Sequence, residues 1–431
     1  MRTTWIRLVA IFVATQVALV LVGQRSFLPS FLPFGEVPYN VKWWLALGAL
    51  MAREGPLVVW TPYPPVFPLA HLAMFEAAGF DADVLWRHFF LRDPAVAPLA
   101  AAAIHKAQWL WSSMNALLLL VLGVLVARLV ATTRGRAEAF VAGGAYVLMS
   151  QSYASRILTG IVSDQFDYLP CVFLLLGLVA LVREAPVGSA VAAALGTATK
   201  LFPVVLAPLA WLHLRSWRAR AWYAGAFGLA SALLWLPLAL GGQRPILSFL
   251  RFTGARSAWE SVWLYPTRRL PLWPSSSEMQ GLFDTPYPPP GAMQHVGDAI
   301  RPELGPVLGL ATLGALIAVF VLARGKLHSP LETVRGALLA LLVILIFAKG
   351  FSSYFIQWFF PLLFVVYPAE LAALWFAAFL VVGNLEFVGD PGSWPVYWPS
   401  LFLRHGLLLA LASDQWRRLR AAAPLHTAKV S

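Results

Sequence analysis

The sequence has little charge and almost no cysteine. Charged residues make up 12% of its 431 positions and hydrophobic residues 59%, and the mean hydropathy is +0.71. A soluble globular protein of this length carries about twice that share of charge. The single Cys171 lies in an apolar run, where it cannot form an intramolecular disulfide and makes no metal site alone. The composition therefore predicts a polytopic membrane protein, with Cys171 as a packing residue.

Several catalytic signatures are also missing. The sequence contains no Gly-rich phosphate loop, no GxSxG nucleophile elbow and no Cys/His cluster with zinc-ligand spacing. These absences disfavour a nucleotide-driven pump and a serine hydrolase. No small-x-small cleavage site follows the first apolar run, so we expect that run to be retained as a membrane span rather than removed as a signal peptide.

What the sequence does contain is about eleven to thirteen apolar runs, each a candidate helix for crossing a hydrocarbon layer of about 30 Å. The fold class we predict is an all-α transmembrane helical bundle. The candidate spans lie near 5–23, 64–79, 107–128, 138–153, 166–183, 187–199, 202–214, 220–241, 305–323, 333–348, 354–368, 370–384 and 398–413.

Basic residues indicate the orientation of these spans. The net charge is +12, and much of it falls in short segments such as 215–220, 324–335 and the tail 414–431, as the positive-inside rule requires of cytoplasmic segments. We therefore expect anionic membrane lipids, and not nucleic acid, as the partner of this charge. Arg134 and Arg136 fit this pattern only if 64–79 is re-entrant or part of 80–106 crosses back; the sequence leaves both possibilities open.

The predicted outer face collects two longer loops, 24–62 and 242–304. The first contains VPYNVKWWLALGALMAREG, whose apolar residues Trp43, Trp44, Leu47 and Leu50 recur at helical spacing, which predicts an amphipathic helix lying on the outer surface. It is followed by WTPYPPVFP. Proline fixes φ and disfavours a helical conformation of the preceding residue, so we expect an extended corner over 62–65 and a helix that begins near Pro65.

Ionisable residues at span ends are the candidate site residues, because such groups are costly in lipid and by default suggest function. They gather on the predicted outer side, where carboxylates could serve as a general base and cations could hold a phosphate. Aromatic residues there could stack on a sugar. The residues concerned are Glu36, Tyr39, Tyr63, Arg156, Asp164, Asp167, Lys200, Arg256, Glu260, Trp263, Lys349, Tyr354 and Trp358.

Each candidate taken alone has a structural explanation. Lys200 could be an anchor that reaches the interface, and Asp164 or Asp167 could cap the following helix. Arg256 and Glu260, at i and i+4, could form a surface ion pair. Their common side favours a site.

Five strings in order resemble a known family. PFGEVPYN, FDYLP, AAALGTATKLFPVVLAPLAWL, RSAWESVW and FAKGFSSYFIQWFFPLLF are similar to segments of the GT-C glycosyltransferases, in the branch of the bacterial α-1,2-mannosyltransferases that use polyprenyl-phosphate sugars. The matches run from about residue 35 to about 390. The resemblance implies one GT-C-type transmembrane domain over 1–431, with an amphipathic helix and the catalytic carboxylate in its first outer loop.

Carried onto this sequence, the resemblance places Glu36 near the family's catalytic Asp and makes Lys200, Arg256 and Lys349 candidates for the donor phosphate. The extra methylene of Glu would displace the carboxylate by roughly an ångström, enough to matter for a positioned base, so Asp164 and Asp167 are alternatives. Ser353 and Tyr354 stand where the family has Pro and Gln, whereas Phe355 and Trp358 keep its aromatic positions.

The function we predict is an inverting transfer of a mannose-like hexose or a pentose from a polyprenyl-phosphate donor to a hydroxyl of a glycan or glycolipid acceptor. The reaction would take place on the extracytoplasmic face of the plasma membrane. Dependence on a divalent metal stays open, and no other cofactor is expected. The alternatives are a secondary transporter, which the lack of internal symmetry disfavours, and a ligase or assembly subunit for lipid-linked glycans.

Overall fold

The computed structural model describes residues 1–21, 39–55, 64–157, 167–240, 262–263, 305–327, 329–348, 353–388 and 394–422, and within these ranges all regular structure is helical. The α-helices are α1 (Arg2–Leu21), α2 (Tyr39–Glu54), α3 (Val66–Ala77), α4 (Ala82–Phe90), α5 (Ala97–Thr133), α6 (Arg136–Ile157), α7 (Tyr168–Val182), α8 (Pro186–Thr199), α9 (Leu206–His213), α10 (Trp217–Leu240), α11 (Gly305–Ala323), α12 (Pro330–Phe347), α13 (Phe360–Val366), α14 (Ala369–Val388) and α15 (Trp394–Ala421). Short 3₁₀ helices cover Pro94–Val96, Phe202–Val205 and Ser353–Trp358. Every apolar run predicted as a span corresponds to at least one of these helices, which confirms the all-α class.

The larger of two apolar cores lies in the bundle formed by α1 and α5 to α15. Its centre is the seven-residue helix α13, in which every residue is buried, and around it Phe359, Phe376 and Phe379 pack ring against ring. On the outside, leucines of α10 and α11 are more than half exposed, for example Leu229 at 64% and Leu310 at 70%. A helix that is apolar on both its inner and its outer side is typical of a lipid-embedded bundle.

Helices α5 and α6 form a hairpin with unusually close backbones. A Cβ on Gly143 would lie 2.6 Å from the carbonyl oxygen of Gly123, and a Cβ on Gly123 would lie 2.6 Å from the side chain of Val147. Small residues at both positions therefore allow the two helices to touch directly, as helices in lipid commonly do.

A second, smaller core joins α2, α3 and α4 to the first half of α5. Trp44, Leu47, Phe75 and Trp111 are buried in it, and Gly48 lets the ring of Phe75 approach α2, since a Cβ there would lie 2.6 Å from that ring. The helix predicted in the first loop is thus confirmed. It is not an exposed surface helix, however, because Leu45, Ala46 and Ala49 on its other sides are buried as well.

The helix expected after the proline corner begins as predicted. Val66 is the first residue of α3, Pro65 precedes it with φ −60° and ψ −35°, and the Pro64 carbonyl accepts a hydrogen bond of 3.2 Å from the N–H of Phe67. Pro65 is thus already in a helical conformation, and the extended corner predicted over 62–65 is wrong at this residue. Residues 62 and 63 lie outside the described residues.

Contacts at one end of the bundle decide between the two interpretations of 64–79. Trp5 packs edge-on against Phe140 at 6.2 Å, so the beginning of α1 lies beside the turn that carries Arg134 and Arg136. Helix α3, with 12 residues, is only about 18 Å long and is too short to cross a bilayer. Helix α1 leads away from this end of the bundle, and α5 leads back to it. The segment 64–79, which lies between them, is therefore not a full crossing.

Three helical windows among the described residues are long and apolar enough to cross a membrane: Arg2–Leu19, Pro94–Thr133 and Pro330–Phe347. Their ends, with those of the shorter helices, define two faces of the bundle. One is the arginine-rich end, made of the turns near 134–136, 183–185, 214–216, 324–329 and the last turns of α15. The other is the opposite end, which holds the beginning of α7, the end of α8 and the end of α12.

A dense polar network closes the arginine-rich end. The Tyr367 hydroxyl donates to Asp414 Oδ2 at 2.5 Å, the Gln415 amide donates to that hydroxyl at 2.5 Å, and Arg418 Nε donates to the same carboxylate oxygen at 2.7 Å. Arg134 donates to the carbonyls of Tyr367 and, at 2.7 Å, Phe364. The network ties α5, α13 and α15 together.

Candidate functional site

The candidate site lies at the end of the bundle opposite the arginine-rich end, where α8 ends and α7 begins. Helix α8 ends at Thr199, and the Lys200 backbone is already extended, with φ −155° and ψ 140°. Gly196 makes this ending possible because a Cβ there would lie 2.9 Å from Pro203 and 3.0 Å from Phe173 Cβ. The helix therefore packs directly on the following 3₁₀ helix, and the Lys200 side chain emerges at the junction.

Asp167 forms an ion pair with Lys200. It holds the N-cap position of α7, but its side chain accepts no capping hydrogen bond. Instead, Oδ1 accepts a hydrogen bond from the Lys200 ammonium. A carboxylate at a helix N-terminus and an ammonium at a helix C-terminus are each favoured by the helix dipole, so two helix ends with opposite partial charge bring the pair together.

The two partners differ in exposure. The Lys200 side chain is 14% exposed, whereas the Asp167 side chain is 1% exposed. The carboxylate therefore lies behind the lysine, and whatever access the pair has from outside is on the side of the lysine.

Aromatic rings surround the pair. Lys200 Nζ lies 4.8 Å from the ring centre of Phe355 and 5.0 Å from that of Trp358, within the range of a cation–π attraction. The Trp358 ring stacks between Phe355 at 4.4 Å and Phe202 at 4.5 Å, and its indole N–H donates to Asp167 Oδ1 at 3.4 Å. The three stacked rings limit how far the ammonium can move.

Buried polar atoms beside the pair have no hydrogen bond within the described part of the chain. They are Asp167 Oδ2 and both amide atoms of Gln357, a residue that is 3% exposed. The Gln357 carbonyl accepts a long contact of 3.5 Å from the Cys171 thiol, so Cys171 is the packing residue that we expected. Buried polar atoms are usually paired, but others without a partner occur elsewhere among the described residues, for example Tyr223 Oη and Gln415 Oε1. Those of Asp167 and Gln357 are distinguished by the fixed cation beside them.

The structure brings three of the predicted site residues together: Asp167, Lys200 and Trp358. Tyr39 begins α2 and Tyr354 lies in the 3₁₀ helix before α13, but their side chains are outside the description, as is that of Arg156. The predicted residues that lie wholly outside the described ranges are Glu36, Tyr63, Asp164, Arg256, Glu260 and Lys349.

Trp263 is described and lies at the same end of the bundle. Its indole N–H donates to the Ile346 carbonyl at 2.9 Å, and its ring faces Phe347 at 6.1 Å and His405 at 6.0 Å. It therefore connects residues 262–263 to the end of α12 and to the middle of α15.

Sequence reasoning missed two groups of polar residues inside helices. Arg404, in α15, is 2% exposed and its neighbour His405 faces Trp263; an arginine within the apolar run 398–413 was the signal. Gln108 and Asn115 are each 5% exposed and flank Trp111 in α5, whose ring lies 5.6 Å from that of His71. The spacing of seven residues between Gln108 and Asn115, which places both on one side of α5, was the signal there.

Metal ligation has no support from the described residues, among which no three His, Cys, Asp or Glu side chains gather in one place. Metal dependence therefore stays open.

The chain matches the model of a known protein family. The model of glycosyltransferase family 87 matches residues 94–348, more than half of the chain, from the 3₁₀ helix before α5 to the end of α12, and it includes Asp167 and Lys200. No curated protein matches the chain. With its apolar helices and this match, the chain belongs to glycosyltransferase family 87 and is an integral membrane glycosyltransferase.

Proposed function

We propose that the protein transfers a sugar, a mannose-like hexose or a pentose, from a polyprenyl-phosphate donor to a hydroxyl of a glycan or glycolipid acceptor, with inversion at the anomeric carbon. The whole chain would act as one GT-C-type domain. The single observation that carries this proposal is the Lys200 ammonium, held at the end of α8 by a buried carboxylate and two aromatic rings. A fixed cation at the end of a membrane bundle is suited to a phosphate carried by a lipid.

The location of the pair supports the extracytoplasmic face of the plasma membrane. Lys200 and Asp167 lie at the end of the bundle opposite Arg134, Arg418 and the basic turns, and the positive-inside rule assigns such basic turns to the cytoplasm. A polyprenyl-phosphate sugar suits this side because its donor bond needs no nucleotide.

The reaction balances with one base and a phosphate site. The acceptor oxygen bonds to the anomeric carbon, the bond from that carbon to the phosphate oxygen breaks, and the acceptor proton passes to a carboxylate. Polyprenyl phosphate leaves without needing a proton, and a cation stabilises the charge that develops on it. Lys200 is the cation we propose, together with Arg256 and Lys349, while Glu36, Asp164 and Asp167 are the carboxylates from which the base is to be chosen.

The remaining predicted residues would contact the sugar or the acceptor. Tyr39, Tyr63 and Tyr354 offer rings and hydroxyls, and Glu260 offers a carboxylate to sugar hydroxyls. Trp358 lies under the ammonium and would shape the phosphate end of the donor site rather than the sugar end.

The test is transfer from radiolabelled polyprenyl-phosphate sugars in membranes that contain the protein or its Glu36→Gln, Asp167→Asn or Lys200→Ala variant. We expect transfer by the unmodified protein and a loss in the Glu36 and Lys200 variants. Full activity in all three variants would show that the site lies elsewhere. A solute flux with no use of any polyprenyl-phosphate sugar would favour a transporter, and transfer of a preassembled glycan would favour a ligase.

A further inference from the structure

We infer that Asp167 is a positioning residue for Lys200 and not the general base. In this inference, which rests on the proposed function, the carboxylate holds the ammonium from behind so that its outer side meets the donor phosphate. The base is then left to a carboxylate elsewhere, with Glu36 and Asp164 as the candidates.

The first argument is access. A general base must come within hydrogen-bond distance of the hydroxyl that it deprotonates. The Asp167 side chain is 1% exposed, and its Oδ2 atom is buried. The other oxygen, Oδ1, already accepts from the Lys200 ammonium and the Trp358 indole. Both oxygens belong to a side chain that is almost wholly buried, whereas the lysine is the more exposed partner.

The second argument concerns what the pair does for the fold. Burying an ammonium and a carboxylate costs desolvation that their attraction offsets only in part, and apolar residues of similar volume often stabilise a core as well or better. The neighbours of this pair, Phe202, Phe355 and Trp358, are themselves stacked in contact and do not need a charge to pack. If the carboxylate of Asp167 serves to fix the ammonium of Lys200, the presence of two charged residues at this buried position is explained.

The third argument is geometric. An ammonium on a four-carbon chain is a mobile point charge, unlike a guanidinium. Here one N–H is directed at Asp167, and the rings of Phe355 and Trp358 lie at 4.8 and 5.0 Å from Nζ. This restriction limits the positions that the ammonium can take before the donor binds, and pre-organisation of this kind raises affinity.

Charge adds a consequence for the rest of the site. Lys200 and Asp167 together are neutral, so Lys200 stabilises the phosphodiester locally while the pair as a whole leaves its net negative charge uncompensated. Arg256 and Lys349 are the cations proposed for that net charge.

The experiment uses the full-length protein in lipid nanodiscs and four versions of the pair: unmodified, Asp167→Asn, Asp167→Glu, and the double exchange Asp167→Lys with Lys200→Asp. Three quantities are measured: the Kd for polyprenyl phosphate, the KM and kcat for the donor across pH, and the Tm. The double exchange restores an ion pair but moves the ammonium to position 167.

We expect Asp167→Asn to raise the Kd and the donor KM about tenfold, the size expected for losing a hydrogen bond to a charged group. Its kcat should stay within about threefold, and the acidic limb of the pH profile should remain, since the base is still present. Asp167→Glu should recover part of the affinity. The double exchange should recover only part of the Tm, because it places each charge at the helix end that disfavours it, and it should not recover the affinity.

Three results would overturn the inference. A fall in kcat of about a hundredfold or more in Asp167→Asn, with the acidic limb lost and KM unchanged, would make Asp167 the base. Recovery of both Tm and affinity in the double exchange would make the pair purely structural, and an unchanged Kd in Asp167→Asn would remove the positioning role.

The same measurements separate this inference from the proposed function. If the unmodified protein transfers no sugar but its Kd for polyprenyl phosphate depends on Asp167, the proposed reaction fails and the positioning role stands. If it binds no polyprenyl phosphate, both fail.

Discussion

The two ends of the bundle use charged residues in opposite ways. At the arginine-rich end, Asp414 Oδ2 accepts from Tyr367 and Arg418 and lies 3.3 Å from the Gln415 amide. At the opposite end, Asp167 shares one oxygen between Lys200 and Trp358, and its other oxygen has no partner among the described residues. The Gln415 Oε1 atom at the arginine-rich end is also buried without a partner among the described residues, so the two ends differ in the carboxylate and not in the number of unpaired atoms. A buried carboxylate oxygen left without a partner beside a fixed cation is typical of a site that is completed by its ligand.

Replacing one lysine at each end of the bundle should give the largest difference in transfer rate. Lys200→Ala is expected to lower transfer from the donor by about a hundredfold or more, because it removes a fixed charge from the leaving phosphate. The matched control is Lys326→Ala, since Lys326 Nζ is exposed and donates only to the Arg420 carbonyl in the described part of the chain. Initial rates in membranes with equal amounts of folded protein measure both. A similar loss in the two variants would contradict the contrast.

At the arginine-rich end, replacing a charged residue should lower the stability of the protein and not its activity. Asp414→Asn leaves the Tyr367 hydroxyl and Arg418 without their shared anionic acceptor, which should lower the free energy of unfolding by about 1–3 kcal/mol. Transfer at a temperature where the variant is folded should be unchanged. Thermal unfolding in detergent and a rate at low temperature measure the two quantities; a lower rate with unchanged stability would show that this end also serves catalysis.

The same carboxylate predicts a pH dependence. Burial by itself raises the pKa of Asp414, but hydrogen bonds from Arg418 and Tyr367 outweigh it and hold the pKa below its ordinary value of 3.8. A lowered folded-state pKa contributes stability above the ordinary value, and this stability is lost as the pH falls through the lowered one. The Tm difference between the unmodified protein and Asp414→Asn should therefore be constant near neutral pH and shrink below about pH 4. A difference that grows in acid would contradict this sign.

A smaller effect is expected from moving the cation without removing it. Gly196→Ala forces apart α8 and the following 3₁₀ helix, because the new Cβ would lie 2.9 Å from Pro203, and a displacement of this kind should lower activity about tenfold. Gly188→Ala, in the same helix, places its Cβ 3.7 Å from the nearest atom and should have no effect. Donor kcat/KM for the two variants provides the measurement, and equal values would show that the end of α8 tolerates the shift.

The smallest effect should come from the indole. Trp358→Phe keeps a ring beneath the ammonium and removes only an N–H at 3.4 Å from Asp167, a long contact for a hydrogen bond. We expect less than about a threefold rise in donor KM. Trp358→Leu, which also removes the stacked ring, serves as the comparison. A larger loss in the phenylalanine variant than in the leucine variant would mean that the indole N–H, and not the ring, matters.

The helices could be predicted from the sequence because local features of the chain determine where they form. Each predicted apolar run is helical, and Pro65 marks the beginning of α3 for a steric reason that requires no other part of the chain. The pairing of Asp167 with Lys200 was not predictable in the same way. These residues are 33 positions apart, and both were candidates for separate roles; only the packing of α7 on α8 shows that they are partners.

Two errors of interpretation have a similar origin. The pattern in α2 suggested one apolar side, yet the helix is buried on several sides, because α3, α4 and α5 supply a core that the pattern of α2 alone does not reveal. Arg404 was not among the predicted site residues because it lies inside an apolar run and not at a span end, and it is buried within a helix.

The contact between Gly123 and Gly143 bears on how the protein is made. Helices α5 and α6 are joined by a very short turn and touch backbone to backbone, so they can associate as soon as both have left the ribosome and entered the membrane. Helix α5 is also the element shared by the two cores. We therefore expect this hairpin to be the first stable unit during biogenesis, and a bulky residue at Gly143 to reduce the amount of protein in the membrane more than the specific activity of the molecules that reach it.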